Sequence, residues 1–359
     1  MKIKRIIAAV CCVLIALSAF AGCSKEGTES TTDKPTSTET ATSKAENFRI
    51  TSYVIGDGLK EKGKLDTSHF SQITDVILFS CAKFDEEGKV TLVDDFETIL
   101  ANLKDAMGDS QDKKVYLNIL GPTAQIDSDD WNKRMDDVGK RHNKAFESGN
   151  LENNIKAVLD KYGFDGIFFD YEYPIKSKYW KAFSNFIVSL DSVLGDSYEI
   201  GAAVAGWNAD FSDEAKDALD RIELMSYDLW DDDGTHSSYE IAKDDINKMA
   251  EDGYDKAKID LGVPFYARPT TEEAIWYIYS DYVDKIDEKG FAKDEENNLI
   301  ASFNTYDVIA KKTQLAMDSG VGGMMVWHYA CDVPADNAKS LFNAIYNTVQ
   351  AQKEAEVTH

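Results

Sequence analysis

Beyond about residue 47, apolar positions fall into two alternating patterns. Short dense runs predict strands at Phe48–Val54, Asp75–Cys81, Lys114–Leu120, Gly166–Asp170, Tyr198–Ala205, Ile222–Tyr227, Ile259–Pro264 and Gly322–Trp327. Between them, apolar residues spaced three and four apart predict helices. Examples are Asp94–Ala106, Leu151–Tyr162, Tyr179–Leu194, Ile241–Glu251, Tyr306–Ser319 and Ala335–Gln350. Glycine and proline sit at the element ends. Eight strand–helix repeats over roughly 300 residues predict an α/β fold, a (β/α)8 barrel. A doubly wound open sheet is the alternative. It is disfavoured because Tyr53-Val54-Ile55-Gly56-Asp57-Gly58, after the first strand, lacks the glycine pattern of a phosphate loop.

The first residues follow another pattern. Lys2, Lys4 and Arg5 precede an uncharged apolar stretch from Ile6 to Gly22, and Cys23 follows. This predicts an export signal over residues 1–22. Phe20-Ala21-Gly22-Cys23 resembles a bacterial lipobox, with Phe20 in place of the usual aliphatic residue, and implies that Cys23 is lipidated. An uncleaved anchor and simple secretion are the alternatives. Residues 23–46, rich in Ser, Thr, Lys and Glu, predict a flexible stalk. The expected location is therefore a membrane-anchored lipoprotein facing the cell surface or periplasm. A barrel over 47–350 and a charged tail over 351–359 complete the predicted organisation.

The chain has 359 residues, 43% hydrophobic, enough for a large core. Its net charge of −25 argues against nucleic acid as a partner. Five cysteines, at 11, 12, 23, 81 and 331, exclude a disulfide scaffold and show no metal spacing. Cys81 and Cys331 are expected to be free buried thiols. His69, His142, His236 and His328 show no metal spacing either.

In a barrel of this kind, chemistry sits at the C-terminal ends of the strands. The fourth predicted strand runs Gly166-Ile167-Phe168-Phe169-Asp170-Tyr171-Glu172-Tyr173-Pro174. Residues two apart share a face, so Phe168, Asp170 and Glu172 are predicted to point inward. Two carboxyls in one low-dielectric site cannot both ionise cheaply, so one holds a proton. A D-x-E is common in an acidic chain; the Tyr173-Pro174 turn places this one at the rim.

This segment resembles glycoside hydrolase family 18, the chitinase and endo-β-N-acetylglucosaminidase group. Asp165, Asp170 and Glu172 match its D-x-x-D-x-D-x-E pattern, while Phe168 replaces its second Asp. Met225-Ser226-Tyr227-Asp228 resembles the family's M-x-Y-D. Gly262-Val263-Pro264-Phe265-Tyr266-Ala267-Arg268 resembles its G-x-P-x-Y-G-R, and Gly322–Trp327 its last strand. Lys114–Gly121 is a weaker match to its S-x-G-G.

The resemblance implies a retaining hydrolase of β-1,4-linked N-acetylglucosamine glycans in which the substrate's acetamido oxygen attacks C1. It implies Glu172 as proton donor and base, Asp170 as the group orienting the acetamido N–H, and Tyr227 as donor to the acetamido oxygen. Asp228 would hold the distorted sugar and Trp327 would floor it. Met225, Tyr53, Tyr266 and Arg268 would line the cleft, with no cofactor or metal required. Packing is the alternative for Tyr227 and Trp327, a loop cap for Asp228, and a structural ion pair for Arg268. Trp207, Trp230 and Trp276 are read slightly more as packing residues than as sugar platforms. In the family the missing Asp shares a proton with the counterpart of Asp170. An apolar Phe168 removes a negative neighbour and adds desolvation, two effects of opposite sign.

About 37 residues separate Arg268 from the helix near Tyr306, too few for the family's full α+β insertion. A shallow cleft suited to internal cleavage follows. The substrate alternatives are the core of N-glycans or a cell-wall glycan. A non-catalytic glycan-binding lipoprotein is the alternative of another class.

Overall fold

The structure, a computed structural model, describes residues 45, 47–108, 113–271 and 275–358. The predicted export signal, Cys23 and the predicted stalk lie outside these, except Ala45, which is buried in the main core rather than in a stalk.

Eight parallel strands close a barrel. In chain order these are β1 (Arg49–Ile55), β2 (Asp75–Phe84), β4 (Lys114–Leu120), β5 (Gly166–Asp170), β6 (Glu199–Val204), β7 (Arg221–Leu224), β8 (Ile259–Pro264) and β13 (Gly323–Trp327). β3 (Val90–Leu92) is a short antiparallel partner of β2. The spatial order β1-β13-β8-β7-β6-β5-β4-β2 returns through the β1–β2 pairing. This is the predicted (β/α)8 barrel.

Side chains alternate across the barrel wall. Ile167, Phe169, Ile222, Leu224, Leu261 and Val263 pack outward in the main core. The helices around it are α1 (Phe96–Met107), α2 (Trp131–Phe146), α3 (Leu151–Tyr162), α4 (Ser177–Leu194), α5 (Asp213–Ala218), α6 (Tyr239–Glu251), α8 (Tyr306–Ser319) and α9 (Leu341–Val357). Burying each large apolar side chain in that layer contributes roughly 1.5–3 kcal/mol. Asp130, Ser212, Ser238 and Ser340 cap helix N-termini with side-chain oxygens. Gly163 and Gly320 end α3 and α8 in the left-handed conformation that lacks a Cβ penalty.

The last helix starts later than the predicted Ala335–Gln350 and runs further. Ser340 and the Asp332 carboxylate, which accepts from the backbone N–H of Leu341 and Phe342, fix its start. The predicted charged tail continues this helix to Val357, because Ala351-Gln352-Lys353-Glu354-Ala355-Glu356 are strong helix formers. Between β8 and α8 the chain forms a small antiparallel sheet that the hydrophobic pattern did not predict. It contains β9 (Tyr266–Pro269), β10 (Tyr277–Ile278), β11 (Phe291–Asp294) and β12 (Leu299–Ser302), in the order β10-β9-β12-β11, with α7 (Tyr279–Tyr282) between β10 and β11. Cys81 and Cys331 are free and buried. Among the described residues no helix is long and apolar enough to cross a membrane.

Candidate active site

Asp170 ends β5 on the same inward face as Phe168, and Glu172 follows just past the strand. Their carboxyls are hydrogen-bonded to each other. Burial pushes the Asp170 carboxyl well above the usual range, and the neighbouring Glu172 adds to this through charge and hydrogen bond. The Asp170 carboxyl therefore keeps its proton to higher pH than a lone carboxyl in water would. The two opposed effects expected of Phe168 thus coexist with a net upward shift at Asp170. Phe168 is fully buried, its ring 4.8 Å from that of Tyr116.

Both carboxyls open on a cavity of about 350 Å³ at the C-terminal end of the barrel. Ligand sites commonly span about 300–1,000 Å³. Of the predicted site residues, Glu172, Asp170, Tyr227, Trp327, Asp228, Met225, Tyr266 and Tyr53 line it together. Arg268 does not line it. Its guanidinium sits behind Asp228, with Nε 2.8 Å from Oδ1 and Nη2 2.7 Å from Oδ2, the structural ion pair that was the alternative reading.

β7 ends at Leu224, earlier than predicted, so Met225-Ser226-Tyr227-Asp228 forms the loop above it. Asp228 takes a left-handed backbone, φ 57°. Burial would raise its carboxyl, but donors from Arg268, His236 and Tyr266 outweigh that and hold it well below the usual carboxylate range. The Tyr266 hydroxyl donates to Oδ1 at 2.6 Å. Burial holds the Tyr227 hydroxyl well above its ordinary value, so it remains a hydrogen-bond donor.

The cavity walls are aromatic. Trp327 packs edge-on to Tyr53 at 5.2 Å and to Phe79 at 4.8 Å. Trp276 stacks flat on Tyr266, ring centres 4.1 Å apart, and remains 40% exposed; Trp207 is 51% exposed beside Tyr173. Packing is not the whole reading for these two tryptophans, since both also line the cavity with exposed surface. It is the right one for Trp230, whose Nε1–H donates to the Pro269 carbonyl at 2.9 Å. Sequence reasoning also missed Phe79 and Tyr173. The inward alternation of β2, with Ile77 and Asp75 two and four residues before Phe79, was the available signal for the first.

The sequence profile of the glycosyl hydrolases family 18 matches residues 49–332. The chain belongs to that family. The family-18 barrel has solved counterparts in chitinases. One from Flavobacterium johnsoniae gives a TM-score of 0.67 at 22% identity, covering 86% of this chain and 95% of that one. One from Bacteroides thetaiotaomicron gives 0.66 at 19%, covering 87% and 98%. A mutant class V chitinase from Nicotiana tobaccum in complex with NAG4 gives 0.65 at 14%, covering 84% and 99%. At these identities the likeness is one of fold. Among curated relatives, Endochitinase 1 of Metarhizium robertsii is 23% identical over 248 residues, covering 52% of this chain and 57% of that protein. Probable chitinase 2 of Drosophila melanogaster is 25% identical over 252 residues, covering 53% of this chain and 52% of that protein. The family-18 chain spans about half the length of these curated relatives.

Proposed function

We propose that this protein is a retaining, endo-acting glycoside hydrolase that cleaves β-1,4 linkages in N-acetylglucosamine glycans of the chitin type by substrate-assisted catalysis. One observation carries the reading: a hydrogen-bonded Asp170–Glu172 pair stands in an aromatic cavity whose remaining carboxylate is already engaged. A retaining enzyme with its own nucleophile needs a second carboxylate free to attack C1. Asp228 is held by Arg268 and Tyr266, and Asp170 is hydrogen-bonded to Glu172, so neither stands free to attack C1. The substrate's own acetamido oxygen fills that role.

As the sugar enters, the proton on Asp170 passes to Glu172 and Asp170 becomes the anion that accepts the acetamido N–H. Tyr227 donates to the acetamido oxygen. Glu172 gives its proton to the glycosidic oxygen as the C1–O bond breaks and the acetamido oxygen bonds C1, forming an oxazolinium. Water then attacks C1 as the C1–O bond of the oxazolinium breaks and the acetamide re-forms, and the water's proton passes to Glu172. Trp327 offers a flat apolar face to the ring. Exposed Trp207 and Trp276 on the cavity walls favour a glycan chain running through the site. No cofactor enters this scheme.

Release assays on chitooligosaccharides and on a high-mannose glycoprotein test the proposal. Chitooligosaccharide cleavage that disappears in Glu172→Gln is the expected result. Cleavage of the glycoprotein alone transfers the activity to N-glycans, and binding without cleavage makes the protein a glycan-binding module. Cleavage that survives Glu172→Gln refutes the assignment. We further propose that the chain is an exported lipoprotein anchored through Cys23, so that incorporation of labelled fatty acid is lost in Cys23→Ala.

A further inference from the structure

The loop at residues 229–238 follows Asp228 and folds back on it. Its two ends are joined: the Ser237 N–H donates to the Leu229 carbonyl at 2.9 Å, and Trp230 pairs with His236 in an antiparallel bridge. The return brings the His236 ring against Asp228. That ring is fully buried and packs against Trp230 and Tyr266, with ring centres 5.6 Å away in each case. Its Nε2 stands 3.1 Å from the Asp228 backbone nitrogen, which donates to it, and 3.2 Å from Asp228 Oδ1.

The backbone of His236 is itself anchored. Its N–H donates to Ser302 Oγ at 3.0 Å, and its carbonyl accepts from Asn304 Nδ2 at 3.2 Å. Ser302 ends β12, and Asn304 lies two residues further on. The next carbonyl, that of Ser237, accepts from the buried Lys312 of α8. The small antiparallel sheet therefore grips Asp228 twice. β9 brings Tyr266 and Arg268 to the carboxylate, and β12 anchors the histidine that meets the backbone. The hydrogen on the Asp228 nitrogen belongs to the Tyr227–Asp228 peptide, which is planar. Fixing that N–H fixes the plane, and with it the left-handed Asp228 and the direction in which Tyr227 leaves the backbone. A bare Nε2 accepts from this N–H; with a hydrogen it donates to Oδ1. In both forms the ring holds Asp228.

We infer that His236 is a positioning residue, holding the Tyr227–Asp228 peptide so that the Tyr227 hydroxyl and the Asp228 carboxylate face the sugar together. His236 does not line the cavity, so it acts through these two neighbours. A left-handed backbone is disfavoured at a residue other than glycine, and the ring supplies a contact that retains it at Asp228. The small sheet thereby gains a task in the reaction: it carries the supports of the loop above β7. This role rests on the proposed hydrolytic mechanism, but the hold on the peptide can be read without substrate.

The test uses the full chain. Labelling tyrosine with 13C at the carbonyl and aspartate with 15N selects the amides that follow a tyrosine, those of Asp228, Asp255 and Asp307. The Asp228 NMR signal is assigned by its loss in Asp228→Asn. His236→Leu is expected to move that signal and to lower kcat on chitooligosaccharide roughly tenfold, with little change in KM. His236→Gln, whose amide reaches the place of Nε2 and can accept or donate, is expected to recover most of the rate. In a Tyr227→Phe background, His236→Leu is expected to cost about threefold or less, because the hydroxyl it positions is already gone. A merely structural role would cost the same in both backgrounds. An unmoved Asp228 signal, an undiminished kcat, or an equal loss in both backgrounds overturns the inference. If His236→Leu does not fold, His236→Asn takes its place: its amide stops short of Asp228, so the same losses are expected and their absence overturns the inference. Inactivity of the unmodified protein would sink the proposed function and leave the Asp228 signal to decide whether His236 holds the peptide.

Discussion

Adding one methyl group at Gly201 tests how tightly the barrel interior is built around Phe168. A Cβ there would lie 2.2 Å from one carbon of the Phe168 ring and 2.5 Å from two others. The ring has nowhere to go. Tyr116 lies at 4.8 Å on one side, the Arg221 guanidinium lies 5.4 Å from the ring centre, and Phe168 is fully buried. Overpacking of this kind costs about 1–3 kcal/mol. In a domain this large each kcal/mol moves Tm by about 2 °C, so Gly201→Ala is expected to lower Tm by about 2–6 °C. Phe168→Ala alone is expected to cost about 3–5 kcal/mol through the cavity it leaves. The double variant is expected to cost less than the sum, because the new methyl occupies space the ring has vacated. Thermal unfolding of the four proteins by circular dichroism, alongside kcat, is the assay. Asp170 lies two residues along the same face, so Gly201→Ala is also expected to reduce kcat. A Tm within 1 °C of the unmodified protein, or strictly additive costs in the double variant, refutes this account of the interior.

Arg268→Met removes the forked partner of Asp228, so that the carboxyl rises towards its usual range. Asp228 is expected to lose its charge at higher pH, moving the acid limb of kcat/KM upward and lowering the plateau roughly tenfold; Arg268→Lys is expected to recover only part, because it lacks the fork. Lys312 is fully buried and its pKa falls to about 7 through burial. Below its unfolded value of 10.5 the unfolded chain binds a proton that the native state binds only below about pH 7. Stability is therefore expected to rise from pH 7 to 9 by at most about 1.4 kcal/mol per unit from this group, a slope that denaturant titration should find abolished in Lys312→Met. Trp207→Ala and Trp276→Ala are each expected to raise KM for long chitooligosaccharides roughly tenfold while leaving the shortest cleaved substrate nearly unchanged; equal losses on all lengths would exclude a platform role.

The barrel and most of its site were legible because they depend on short-range pattern. On β5 the period of two placed Phe168 and Asp170 inward, and the rim turn placed Glu172 beside them. What was not legible depends on three-dimensional pairing. β11 (Phe-Ala-Lys-Asp) and β12 (Leu-Ile-Ala-Ser) are too short and mixed to show a period, and are strands because β9 offers an edge to β12 and β12 in turn to β11. In β7 the pattern of Arg221 and Glu223 against Ile222 and Leu224 suggests a polar face in solvent. In the barrel that polar face is the inside, where Arg221 meets Asp260 at 2.5 Å, while Ile222 and Leu224 join the core under the helices. Trp207 and Trp276 looked like packing residues because exposure is a property of the loops that carry them, and sequence does not show where those loops end.

The account stands on the sugar's own amide performing the displacement. The direct measurement compares two aryl disaccharides that differ only at C2, 4-nitrophenyl diacetylchitobioside and 4-nitrophenyl cellobioside, by kcat/KM on the same preparation. The acetamido substrate is expected to react at least about a thousandfold faster, since its rival lacks the positioned internal nucleophile. Comparable rates on the two would contradict the mechanism and return the search to a nucleophile supplied by the protein.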